Sequence, residues 1–198
     1  MKTFFEDGIK SIILNSAVDL LLDKWPVQFN MASIARQAGI SKPRLAYHFQ
    51  DTEQILTEIM RAWAMSGQFV TEATLAKNMG QSSEQLIESI LDATFLWLKQ
   101  YPKFAKLSPI LIHLAHVYPQ VGEMQSMVMS VGLKRIENIL SNTVFLKKIS
   151  QEKLASKAKG IHLLIVGGFL YQLATKGEKV DQKSLERIKE SIQILIHQ

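Results

Sequence analysis

Four side chains that can hydrogen-bond to a nucleic acid lie close together in the first quarter of the chain. Lys42, Arg44, Tyr47 and His48 are spaced so that they remain on the outer side of one short helix. Arginine and lysine bind the edge of guanine, while tyrosine and histidine reach phosphate oxygens. These residue types at this spacing indicate contact with double-stranded DNA.

The elements that must position these side chains are two short helices joined by a tight turn. Asn30 is predicted to cap the first helix, and Gly39 ends it because glycine enters the left-handed conformation at little cost. Ser41 is predicted to cap the second helix, with Pro43 in its first turn, where a missing N–H has no helical partner to lose. Residues 30–49 therefore predict a helix-turn-helix.

The second helix has one inner and one outer face. Leu45 and Phe49 lie one turn apart and are expected to point inward. If the helix enters the major groove N-terminus first, Lys42, Pro43 and Arg44 meet base edges. The predicted DNA contacts are Ser33, Ser41, Lys42, Pro43, Arg44, Tyr47 and His48.

Local charge supports this interpretation better than total charge. The chain carries a net charge of +5, and residues 1–56 hold six basic and six acidic side chains. From Lys24 to Gln50, however, there are four basic residues and no acid. A phosphate backbone would meet a local positive strip there.

The motif resembles the DNA-binding domain of TetR-family transcriptional regulators. The resemblance covers about a quarter of the chain and includes surface positions as well as core positions. The matching residues are Ile34, Ala35, Ala38, Gly39, Ile40, Ser41, Leu45, Tyr47, His48, Phe49, Glu53, Ile55 and Leu56.

This resemblance implies an N-terminal DNA-binding domain at 1–50 and a larger helical effector-binding and dimerisation domain at 51–198. It implies a ligand-responsive regulator, with repression as the expected mode, that a small, largely apolar effector releases from a partly palindromic operator. It also implies a homodimer formed through the last two helices, expected at about 151–175 and 182–197.

Two positions depart from the family pattern. Ala46 stands where the family usually has a tyrosine, and Thr52 stands where a lysine commonly opens the fourth helix and reaches the DNA backbone. The resemblance therefore implies fewer phosphate contacts than usual.

Composition limits the remaining possibilities. The chain has no cysteine, which excludes disulfides, thiolate metal sites and cysteine nucleophiles. Strand-like alternation is scarce, so we expect an all-α fold. The longest apolar tract, 161–174, is shorter than the roughly 18 residues that suggest a membrane span, and the N-terminus does not resemble a signal peptide. We expect a soluble, cytoplasmic protein without a membrane partner.

Periodicity predicts further helices along the chain. We expect Asp51 to cap a long fourth helix, with Gln54 completing a capping-box-like arrangement. Pro109 is predicted in the first turn of a short helix that Pro119 closes. The other predicted helices span Phe5–Leu22, Glu84–Tyr101 and about Val121–Leu140.

The second domain contains aromatic, methionine and histidine side chains that could line an apolar pocket, although for any one of them an ordinary core position is the simpler interpretation. His162 is interpreted as a satisfied buried histidine in preference to a ligand partner. His113 and His116 share a helix face but lack an evident third ligand, so no metal site is predicted. The candidates are Trp63, Phe69, Phe95, Tyr101, His113, His116, Met124, Met127 and His162.

Two other classes of function compete with a regulator. One is a helical protein-protein adaptor in which Ala46 and Thr52 record weakened DNA binding. The other is a helical enzyme or carrier, which the sequence does not support because it contains no activated nucleophile, phosphate-binding glycine loop or paired-carboxylate motif. We therefore expect no catalytic residue and no cofactor.

Overall fold

The computed structural model describes residues 5, 8–26, 29–143, 146, 149–177 and 179–197. Within these residues the chain forms nine helices and no strand, which confirms the all-α prediction. The helices are α1 (Ile9–Lys24), α2 (Met31–Gln37), α3 (Lys42–His48), α4 (Thr52–Lys77), α5 (Ser83–Gln100), α6 (Pro102–Leu114), α7 (Pro119–Ser141), α8 (Gln151–Lys176) and α9 (Gln182–His197).

The chain divides into two compact units. The first unit comprises Met1–Ser66 and Lys103–Ser126, and the second comprises Gly67–Pro102 and Met127–Gln198. The first unit holds α1, α2, α3 and α6 together with the start of α4 and of α7. The predicted boundary between residues 50 and 51 remains a prediction.

Side-chain caps set the N-terminal ends of α2 and α3, as predicted. The backbone N–H of Ser33 donates to Asn30 Oδ1 at 3.0 Å, and the backbone N–H of Arg44 donates to Ser41 Oγ at 3.3 Å. Gly39 has φ 66°, the left-handed conformation expected of the residue that ends α2. The capping prediction for this motif is confirmed.

The N-terminus of α4 also has the predicted arrangement. Asp51 Oδ1 accepts the backbone N–H of Gln54 at 2.8 Å, and Gln54 Oε1 accepts the backbone N–H of Gln50 at 2.9 Å. Two N–H groups at the helix start are thereby satisfied by side chains.

Two predicted helix starts were wrong. Helix α1 begins at Ile9, not at Phe5, because Gly8 has φ 118° and cannot belong to a right-handed helix. Helix α6 begins at Pro102, and Pro109 lies inside it. Burial of neighbouring apolar side chains such as Leu107 and Leu111 offsets the roughly 3 kcal/mol that an interior proline costs.

Pro119 also differs from its prediction. It begins α7 instead of closing the preceding helix, which ends at Leu114. Proline is favoured at a first helical position because its fixed φ suits the helix and its missing N–H would have no partner there. The same preference explains Pro102 at the start of α6.

The second unit has its own apolar core. Helices α5, α8 and α9 pack on one another and contribute fully buried side chains to it. The carboxylate of Asp92 on α5 pairs with Lys189 Nζ on α9 at 2.9 Å, close to that core. Core residues include Ile87, Leu91, Phe95, Ile161, Ile165, Ile192 and Ile196.

A pair of glycine substitutions tests the conformation of the α2–α3 turn. A Cβ added at Gly39 or at Gly67 would meet no atom within 4 Å, but only Gly39 has a positive φ. Gly39→Ala should lower the free energy of unfolding by about 1 kcal/mol because the left-handed conformation is strained for alanine. Gly67→Ala, within α4, should raise it by about 1 kcal/mol. Urea denaturation followed by circular dichroism measures both, and equal effects of the two substitutions would contradict the assignment.

Candidate nucleic-acid interface

Packing separates the inner and outer faces of α3. Leu45 is fully buried and Phe49 is 3% exposed, so this side of the helix is anchored in the first unit. The outward residues are exposed. Tyr47 is 86% exposed, so its ring contributes little to the packed core. We call Lys42, Pro43, Arg44 and Tyr47 the α3 outer face.

Tyr47 and His48 form the end of this surface. Their rings pack edge to face, with centroids 5.2 Å apart. His48 is half-buried, while the Tyr47 ring extends into solvent. This arrangement leaves one hydroxyl and one imidazole at the C-terminal end of α3, the position from which a recognition helix contacts phosphates.

The two predicted serine contacts differ in exposure. Ser41 is exposed at the start of α3, where its hydroxyl caps the helix. Ser33 is only 8% exposed within α2, so little of its side chain is available to a ligand. Assignment of these residues as DNA contacts remains a prediction, and Ser33 has the weaker structural support.

The basic side chains of α3 are available for binding an anion. Within the ranges that the structure describes, neither Lys42 nor Arg44 forms an ion pair with an acidic side chain. Exposed arginine and lysine that are not engaged by carboxylates can bind a phosphate or a base edge without first breaking an internal pair.

Hydrogen bonds and ion pairs hold α1 and α4 to α6 and α7 inside the first unit. Lys103 Nζ lies 2.6 Å from Asp19 Oδ1, which joins α6 to α1. The Glu53 carboxylate on α4 accepts the backbone N–H of Gln120 at 3.1 Å, near the first turn of α7. A carboxylate at a helix N-terminus is favoured by the helix dipole.

The candidate effector residues in the first unit occupy different environments. The Trp63 indole N–H donates to Ser108 Oγ at 3.0 Å, and Ser108 is 3% exposed. His113 packs edge to face on Trp25, with ring centroids 6.1 Å apart, but both His113 and His116 are exposed, and Met124 is half-buried. A pocket that includes these side chains remains a prediction.

The candidates in the second unit also divide by burial. Phe95 and Tyr101 are buried, whereas Phe69 is 51% exposed and Met127 is 66% exposed. The high exposure of Phe69 and Met127 within this chain gives little support to a pocket-lining role. Their assignment, like that of the other candidates, remains a prediction.

His162 on α8 lies close to Gly132 on α7. A Cβ added at Gly132 would come within 2.8 Å of His162 Nε2, so the glycine makes room for the imidazole. Burial lowers the pKa of His162 below its ordinary value of 6.5 because desolvation disfavours the charged ring. His162 is therefore neutral at pH 7, consistent with either interpretation of it as a satisfied histidine or as a hydrogen-bond partner for a ligand.

Metal-ligand clusters and membrane-spanning helices can be assessed for the described residues. These residues contain no group of three histidine, aspartate or glutamate side chains placed to hold a metal ion. None of their helices combines the length and the apolar character that crossing a membrane requires.

Ser108 and Lys10 are not among the residues that the sequence predicts to form contacts at the candidate sites. Ser108 precedes Pro109, and the proline predicts a helix start there, whereas both residues lie inside α6. Lys10 lies on α1, and its Nζ sits 6.0 Å from the centroid of the Phe49 ring. Nothing in the local sequence of either residue signals these long-range contacts.

The depressed pKa of His162 predicts how stability depends on pH. The folded state binds fewer protons than the unfolded state between the lowered pKa and 6.5. Stability should therefore be complete above pH 6.5 and fall as the pH drops through this window. His162→Gln should reduce that fall, whereas His116→Gln, at an exposed position, should not. Urea denaturation between pH 5 and 8 measures the difference, because this range spans about one unit or more on each side of the usual histidine pKa. Identical pH dependence of both variants and wild type would refute the role of His162.

Comparison with known proteins identifies the fold. No family model matches the sequence, and no curated protein matches it. The multidrug binding protein EbrR, in complex with imidazole, is 15% identical over 96% of each chain, with a TM-score of 0.70. A TetR-like transcriptional regulator from Rhodococcus sp. RHA1 is 15% identical over 96% of this chain and 93% of its own, with a TM-score of 0.69. The fatty acid degradation regulator FadR from Bacillus halodurans is 15% identical over 97% and 96%, with a TM-score of 0.71. The chain therefore has the fold of the TetR-family transcriptional regulators.

Proposed function

We propose that this protein is a homodimeric transcriptional regulator that binds a partly palindromic DNA operator and responds to a small, largely apolar effector. The observation that carries the proposal is the α3 outer face, where two basic side chains and an 86% exposed tyrosine project from a helix anchored by Leu45. Charged side chains are ordinary on a solvated surface, whereas a largely exposed tyrosine ring beside them is suited to contact with a partner.

In this proposal α3 enters the major groove. Arg44 binds guanine through a bidentate pair of hydrogen bonds, Lys42 contacts a neighbouring base, and Pro43 packs on a thymine methyl group. Tyr47 and His48 contact phosphates at the opposite end of the helix. The absence of acidic residues between Lys24 and Gln50 favours approach of the DNA.

An apolar surface on the last two helices supports homodimerisation. Leu163, Gly167, Tyr171 and Ala174 recur along one side of α8, and Ile194 on α9 is also exposed. Leu163 is 61% exposed and Tyr171 is 64% exposed, although the opposite side of α8 is buried. We call these five residues the α8–α9 outer face, and we propose that a second copy of the chain covers it.

A two-fold dimer explains the proposed operator. Such an interface uses the same surface on both protomers, and it presents two copies of α3 to two half-sites of opposite orientation. Half-sites for dimeric helix-turn-helix proteins lie about one helical turn, roughly 34 Å, or a multiple of it apart.

A structural neighbour and the side-chain chemistry of the second unit support the proposed effector response. EbrR, which shares the fold, is a multidrug binding protein. This chain has buried aromatic side chains in its second unit, including Phe95 and a Trp97–Phe169 pair with ring centroids 5.7 Å apart. An effector shifts the equilibrium only through different affinities for two conformers, and we propose that it favours the conformer that does not bind the operator.

We propose that the DNA-bound protein represses transcription and that release by the effector relieves the repression. A reporter gene placed behind a bound fragment should be expressed more strongly when the regulator gene is deleted. Lower expression in the deletion would instead identify an activator, while the DNA-binding part of the proposal would stand.

Selection of bound genomic fragments tests the DNA-binding function. Wild type should enrich fragments that share a partly palindromic sequence. Arg44→Ala should lose the preference at one base position of each half-site, a loss of about 1–3 kcal/mol of discrimination. Arg61→Ala is the matched control, because Arg61 is an exposed arginine on α4 that pairs with Glu58 at 3.5 Å.

The outcomes separate the competing functions. If the Arg61→Ala protein retains the wild-type motif and Arg44→Ala does not, the motif depends on α3. If wild type enriches no fragment at low salt, with or without apolar compounds, the regulator proposal fails and the adaptor interpretation replaces it.

Charge introduced on the α8–α9 outer face tests the dimer. Leu163→Glu and Tyr171→Glu, made together, should convert a dimer to a monomer because two unpaired carboxylates would be buried at the interface of each protomer. Met79→Glu is the control, since Met79 is 82% exposed between α4 and α5. Sedimentation equilibrium measures the mass; a monomeric wild type, or a dimeric double variant, would contradict this interface.

A further inference from the structure

We propose that Lys10, on the first turn of α1, is a phosphate-binding residue that anchors the DNA backbone beside the C-terminal end of α3. This inference rests on the proposed function, since it names a further contact for the same DNA. It depends on three observations: the position of the ammonium group, the surroundings of Phe49 and the charge at the start of α4.

Tertiary packing brings Lys10 to the end of the recognition helix. Its Nζ lies over the Phe49 ring, 6.0 Å from the centroid, although the two residues are far apart in sequence. Phe49 is the residue that ends α3, directly after Tyr47 and His48. The ammonium group therefore lies at the end of α3 where the proposed phosphate contacts are made.

The Phe49 ring holds the ammonium group without neutralising it. A lysine over an aromatic face is attracted by the ring's quadrupole, and the interaction leaves the full positive charge available. Lys10 is exposed, whereas Phe49 is 3% exposed and fixed in the core. A flexible side chain is thus restrained at an accessible position, which reduces the entropy lost on binding a phosphate.

The adjoining start of α4 carries no basic side chain. It begins with Thr52 and Glu53, and the Asp51 side chain caps it. These residues bring negative charge to this corner of the unit. Lys10 supplies a cation beside Phe49, at the end of α3 where the proposed DNA backbone contacts lie.

The salt dependence of DNA binding tests the role of Lys10. The probe is a mixed-sequence DNA duplex of about 30 base pairs, whose non-specific binding is dominated by phosphate contacts. Lys10→Gln keeps the first half of the aliphatic stem and removes the charge. For a dimer it should make the plot of log affinity against log salt shallower by about 1.8, or about 0.9 per phosphate contact. The wild-type advantage should therefore shrink about 12-fold between about 50 and about 200 mM salt.

Matched variants distinguish a phosphate contact from a structural role. Lys99→Gln removes the same charge from an exposed position on α5 and should leave the slope unchanged. Lys10→Arg should keep the wild-type slope, because it retains the charge. Thr52→Lys, added to Lys10→Gln, should restore a steeper slope by placing a cation on the first residue of α4. Thermal unfolding of each variant checks that the fold is intact.

Each outcome decides the inference. A shallower slope for Lys10→Gln alone, restored by Lys10→Arg, supports the contact. If folded Lys10→Gln has the wild-type slope while wild type binds the duplex, or if Lys99→Gln lowers the slope equally, Lys10 is not a phosphate contact and the proposed function stands. If wild type binds neither this duplex nor any genomic fragment, the proposed function and this inference both fail.

Discussion

The burial of Leu45 is the constraint on which the candidate DNA-binding surface depends. Helices α2 and α3 contain seven residues each, and isolated helices shorter than about 12 residues are marginal in water. They are helical here because Ile34 and Leu45 are fully buried where α2 packs on α1 and on α3. The same burial fixes the rotation of α3 about its axis. As a result, Lys42, Arg44 and Tyr47 face solvent.

Capping complements packing in the first unit. Asn30, Ser41 and Asp51 each accept a backbone N–H three residues later, so three successive helix starts are satisfied by their own side chains. Packing determines which side of each helix is buried, and capping determines where each helix begins. Together they define the position of Arg44 to within the freedom of its own side chain. That precision is what base recognition requires.

The second unit shows how one helix can serve two apolar surfaces. The inner side of α8 contributes Ile161, Ile165 and Phe169 to the core with α5 and α9. Its outer side carries Leu163 and Tyr171, which the fold of a single chain does not bury. The core alone therefore does not account for the apolar side chains that surround α8 on all sides between residues 161 and 174. A second copy of the chain is the proposed partner for the remaining surface.

The sequence by itself determined the local features of this protein. It predicted the caps of α2, α3 and α4, the left-handed Gly39 and the two faces of α3, because each depends on residues within about four positions of one another. The resemblance carried by these same residues anticipated a fold that the structural neighbours share.

Only the tertiary structure decided the features that depend on distant partners. Pro109 lies inside α6 because burial outweighs a local signal for a helix start. Phe95 is buried and Phe69 is half exposed, although both residues occupy helices and are chemically identical. Lys10 meets the Phe49 ring through packing between residues far apart in the chain. Such contacts follow from how helices pack, which the spacing of residues along one helix does not specify.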